Sequence, residues 1–168
     1  SMIVATSVGN VYKVSNAGIP TLLANVGEDA EGLSFAPQSF GGRPAGTLFI
    51  ASEGSGILRS ILPSGTTTVA VTGLPGAEMV SFVPTNLGLS GNPVEGFYAA
   101  AFPTDIQKSP ASDFIPYIGQ AIVTSETGHQ VWAIDDSLNV SQIATFPGQP
   151  EDGIFVTADL IHPHVPDS

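Results

Sequence analysis

The chain repeats itself, and that constrains it more than any other property. Three segments align over most of the 168 residues: Met2–Pro37, Leu48–Pro84 and Ala121–Thr157. Glu31, Glu78 and Glu151 fall in register, as do Phe35, Phe82 and Phe155. The first two glutamates are 47 residues apart and the next two 73, so the third unit carries an insertion of 26 residues. A unit of this size cannot bury an apolar face alone, so the units must stack on one another.

Within each unit the apolar runs have strand length. Ile3-Val4-Ala5-Thr6, Phe49-Ile50-Ala51-Ser52 and Ile122-Val123-Thr124-Ser125 correspond, and each precedes a turn containing Gly9, Gly54 or Gly128. Further runs follow at Val11–Val14, Ile57–Ile61 and Val131–Ile134, with Trp132 aligned to Arg59 and Tyr12. No segment sustains a 3.6-residue period, which predicts an all-β chain with little helix. Four short strands in about 45 residues make the blade of a β-propeller.

The strand inventory predicts three four-stranded blades per chain: Ile3–Val26 lacking its inner strand, Glu31–Thr72, Glu78–Phe146, and a last inner strand at Asp152–Ala158. Propellers carry roughly 4–8 blades, and an open ring exposes strand edges. A homodimer forming a six-bladed ring solves this, with Asp152–Ala158 of each chain completing Ile3–Val26 of the other. The alternatives are a longer propeller of which this is a piece, and extra strands within the insertion at Phe97–Phe102 and Phe114–Ile118. The last ranks lowest, because 26 residues fall short of a blade. The expected organisation is a propeller region over 1–158, with the insertion at about 85–119, and a tail over 159–168.

The run Glu31-Gly32-Leu33-Ser34-Phe35-Ala36-Pro37 continues into Gly46-Thr47-Leu48-Phe49-Ile50-Ala51, Ile57-Leu58-Arg59-Ser60-Ile61 and Gly65-Thr66-Thr67-Thr68. It resembles blades of the gluconolactonase, strictosidine-synthase and NHL-like propellers. That resemblance implies a divalent metal, such as Ca²⁺, at one mouth of the central channel, held by an early Glu that Glu31 matches, and a lactonase-type hydrolysis. The matching Asn and Asp ligands are not evident here. The tail residues Val165-Pro166-Asp167-Ser168 resemble the start of the VPDSG variant of PEP-CTERM sorting signals. This implies an extracytoplasmic bacterial protein, attached to a membrane only through a C-terminal segment that is later removed.

Charge narrows the partners. Lys and Arg number 4 against 15 Asp and Glu, a net charge of −11. Nucleic acid is excluded as the main partner, because phosphate binding needs a basic face. The chain has no cysteine, so disulfides and thiolate metal sites are excluded too.

Strand alternation places the starts of the inner strands and the turns after Ser52 and Ser125 on one face of the ring. Glu31, Glu78 and Glu151, flanked by Asp29 and Asp152, then gather at one channel mouth with Glu53, Glu126 and His129. These residues are the expected ligand-binding set, Glu31, Glu78 and Glu151 the metal set, and Glu31 and His129 the catalytic candidates. Crowded carboxylates raise one another's pKa or recruit a cation. The alternative role for the repeated Glu is structural, accepting main-chain N–H groups of the neighbouring blade. His162 and His164 offer a weak transition-metal pair. Two function classes follow: a module binding a small molecule, glycan or protein, and a metal-dependent hydrolase.

Overall fold

A computed structural model describes residues 1–103 and 105–161. The pair His162/His164 and the motif Val165–Ser168 lie outside the described residues. The chain is all-β. Sheet I contains β1 (Met2–Ala5), β2 (Asn10–Val14) and β3 (Pro20–Asn25), and sheet II contains β4 (Leu33–Phe35), β5 (Leu48–Ser52), β6 (Ile57–Ile61) and β7 (Thr67–Val71). After β8 (Ala77–Phe82) the insertion supplies β9 (Gly96–Phe102) and β10 (Asp105–Pro110), followed by two short 3₁₀ turns. Then come β11 (Ala121–Ser125), β12 (Gln130–Ile134), β13 (Val140–Thr145), β14 (Gln149–Val156) and the four-residue helix α1 (Ala158–Ile161). Sheet III runs β8-β11-β12-β13 and sheet IV runs β14-β9-β10. Every strand pair is antiparallel.

The expected count of three blades is therefore corrected to four sheets. The insertion is not only a loop: its apolar run Phe97–Ala101 is half of a hairpin that pairs with β14. Phe114–Ile118, the other proposed strand, is a 3₁₀ turn, since Pro116 denies the ladder an N–H. The ladder edge of β14 that was expected to complete Ile3–Val26 of a second chain is filled by β9 of the same chain.

The repeat shows in the register. Sheets I, II and III each carry a β-bulge at the equivalent point, after Val11, Leu58 and Val131. A bulge bends its strand and sharpens the local twist, so the three units share one shape.

Successive sheets pack face to face. Val11, Ala24, Leu48 and Ile50 form the core between sheets I and II. Phe49, Leu58, Val80, Phe82, Val123 and Trp132 belong to the core between II and III. Met79, Ile122, Val131, Phe97 and Phe155 belong to the core between III and IV. A Phe triad, Phe40–Phe49–Phe82, sits in the second core with ring centroids 5.0–5.5 Å apart. Phe97–Phe114–Phe155 repeats the device in the third. Aromatic contacts of this kind, edge-on throughout the first triad and partly tilted in the second, add to plain burial. Among the described residues no buried core joins sheets I and IV, and the sheets do not close on themselves.

Candidate acidic site at the ends of sheets II and III

The site is built on a glycine. The Gly32 N–H donates to the Glu78 carbonyl oxygen at 2.6 Å, linking the inner strands of sheets II and III through the main chain. A Cβ at Gly32 would lie 2.5 Å from the Met79 Cα, so no side chain fits between them. On its other side the Glu31 N–H donates to Ala51, and Ala51 donates back to Gly32, at 3.1 and 2.9 Å. Glu31 and Glu78 are thereby held side by side. Glu53 follows β5, and Glu126, whose N–H donates to Gly76 at 2.8 Å, follows β11. Carboxylate oxygens of Glu31, Glu53 and Glu78 all lie within 4.8 Å of one another.

This crowding governs protonation. Partial burial pushes Glu78 up to about 8, reinforced by the charges of Glu31, Glu126, Glu151 and Glu53. Glu31 is raised by burial first, then by the charge of Asp29 and a hydrogen bond with it, with Glu53 and Asp152 adding to the effect. Glu53 is raised chiefly by a hydrogen bond with Glu126, then by burial. A hydrogen bond between two carboxyl groups needs a proton on one of them. The cluster therefore retains protons at pH values where isolated carboxylates have lost them.

Among the described residues no cationic side chain forms an ion pair with the trio. Among the described residues the one ion pair is Arg59–Glu28, at 2.5 Å. Arg59 also donates to the Ser52 Oγ at 2.7 Å, and Ser55 donates to Glu28 at 2.7 Å. Burial pushes Glu28 up, but its bonds to Ser55 and Arg59 outweigh this and leave it below the usual carboxylate range. Among the described residues, main-chain N–H groups donate to the carboxylate of Glu95 but not to those of Glu31, Glu53 and Glu78.

The converged trio differs from the expected metal set. Glu53 takes the place of Glu151, which acts on Glu78 through its charge while its carboxylate accepts from Gln149 at 3.4 Å. His129 lies in the turn between β11 and β12 with φ at 56°, and its carbonyl oxygen accepts the Phe146 N–H at 2.6 Å. It is not among the groups that shift the three glutamates. Trp132 is buried between sheets II and III, as packing at that aligned position requires.

One carboxylate escaped sequence reading. Glu95, in the insertion, is buried to 2% exposure. It accepts from Ser90 Oγ at 2.6 Å and from the Ala158 N–H at the start of α1 at 3.0 Å. These bonds, led by Ser90, hold its carboxyl below the usual range. Nothing in the local sequence distinguishes it from a surface Glu.

The three carboxylates form an all-oxygen donor set, the chemistry that suits a hard divalent cation. No protein-family model matches the chain, and no curated protein is significantly similar to it.

Proposed function

We propose that the chain is a binding module of the β-propeller type, exported by a bacterium, whose four sheets are blades and whose acidic end takes a cationic ligand. The ligand is a divalent cation such as Ca²⁺, or a cationic group of a larger molecule. The blade reading is supported by the shared register of the sheets and by their face-to-face order. Export is supported by the resemblance of Val165–Ser168 to a sorting signal.

The observation that carries the ligand reading is Glu78, pushed up to about 8 beside two further carboxylates. An arriving cation readily displaces the proton of such a group into solvent, because its positive charge favours the ionised carboxylate that burial and the neighbouring carboxylates disfavour. Glu31 and Glu53 complete the set, and Glu126 and Asp29 hold their carboxyls in place.

Calcium and spermidine serve as probes in calorimetric titrations at pH 6 and pH 8, repeated in buffers of different ionisation enthalpy. The expected result is binding that releases protons, with more released at pH 6, and that is lost in the double variant Glu31→Gln/Glu53→Gln. A native-state ligand also raises the melting temperature by mass action. Absence of both binding heat and a melting shift with calcium and with spermidine at millimolar concentration would overturn the reading.

A further inference from the structure

The two end sheets expose faces that the repeat marks as interfaces. Strand pairing sets the equivalences: Val4 pairs with Tyr12 as Ile50 pairs with Arg59 and Val123 with Trp132. Ile50 packs against sheet I and Val123 against sheet II, both fully buried by the preceding sheet. Val4, at the same position, is 38% exposed, and Met2 beside it is exposed where Leu48 and Ala121 are buried.

At the other end, Ile106 pairs with Ala100 as Val11 pairs with Ala5, Leu58 with Ala51 and Val131 with Thr124. Val11, Leu58 and Val131 are 0–3% exposed, each buried by the following sheet, whereas Ile106 is 70% exposed. Ile154 and Phe102 are exposed on the same sheet. One end thus presents a face that the preceding sheet covers elsewhere in the chain, and the other a face that the following sheet covers. The two are complementary in kind, not copies of each other.

We infer that the face of sheet IV around Ile106 receives the face of sheet I around Val4 from a second copy of this chain. The contact continues the packing already made three times within the chain. It is head-to-tail, so it either closes into a ring or propagates. Two copies give eight sheets, within the 4–8 blades that propellers carry, whereas three give twelve. The assembly is therefore a closed ring of two chains. It rests on the propeller reading of the sheets and not on the acidic site, so cation binding by a monomeric chain would leave the ligand proposal standing while this one fell.

The test is light scattering and sedimentation of the 168-residue chain at micromolar concentration. A mass of twice the chain is expected, with tighter association at high salt because both copies are acidic. Val4→Lys and Ile106→Lys should each weaken the dimer about a hundredfold by placing a charge in an apolar contact. Circular dichroism and melting of each variant establish that it is folded. Mixing the two variants should restore association, because one of the two contacts pairs unmodified faces. A folded monomer would overturn the inference and assign these faces to further sheets of a longer chain. An open series of oligomers growing with concentration would overturn the two-chain ring. A dimer insensitive to Ile106→Lys would overturn the head-to-tail contact.

Discussion

The amide of Gly32 and the carbonyl of Glu78 are 2.6 Å apart, and their hydrogen bond fastens the inner strands of sheets II and III where the carboxylates converge. Gly32→Ala should therefore strike fold and site together. Its Cβ meets main chain, not a yielding side chain, so the strands must part. The expected loss is about 1–3 kcal/mol in urea unfolding, the range for inserting a methyl into packed structure. Unchanged stability would mean that the two strands separate freely.

Stability should fall as pH rises from about 4.5 towards 8. In that interval an unfolded chain has ionised Glu78, whose ordinary value is 4.5, while the folded chain keeps the proton up to about 8. The folded state then binds more protons, and by linkage each increment of pH favours unfolding. Glu78→Gln should flatten the profile and stabilise the protein at pH 8 by about 1–2 kcal/mol, after allowance for solvent screening of this half-buried group. Melting temperatures of the two proteins across that interval measure the difference.

Glu95 should behave oppositely. Its hydrogen bonds favour the charged form, so what it contributes is present above the ordinary value of 4.5 and is lost as pH falls below it. Glu95→Ala should lower the melting temperature by several degrees, because Ser90 and the Ala158 N–H lose their acceptor. Hydrogen exchange should quicken at Ala158 and through the insertion, while the amide of Gly32 keeps its protection.

Arg59→Ala should release Glu28, which then loses its ion pair and retains the Ser55 bond. The negative charge near Glu53 grows, so calcium should bind more tightly to this variant than to the parent, at some cost in stability. Weaker binding would indicate that Arg59 positions the site instead of sequestering a neighbouring charge.

Much of this molecule was legible from residue spacing. The register of Glu31, Glu78 and Phe82 located inner strands, and the turns after Ser52 and Ser125 located Glu53 and Glu126 at the same end. The fourth sheet was legible only in part: the apolar run Phe97–Phe102 is the strand β9, ranked lowest among the alternatives on residue count, whereas the polar run of β10 carries no strand signal. A count of residues per blade also hid the fact that two strands suffice when β14 supplies the third. Which glutamate completes the trio was a tertiary matter. Glu53 and Glu151 both belong to the acidic set in the sequence, and only the three-dimensional placement of the turn after β5 brings Glu53 to Glu31 and Glu78.

Because, among the described residues, each sheet packs on its neighbours in the order I to IV, the chain is mechanically a short stack. In such an array, stability is a sum of units and the contacts between them, and loss spreads inward from the ends. Within one chain, sheets II and III are clamped on both faces and hold the acidic cluster, whereas I and IV are clamped on one. Thermal fraying of the separate chain can thus strip the outer sheets while the Gly32–Glu78 seam persists, which places the site in the last part of the chain to come apart.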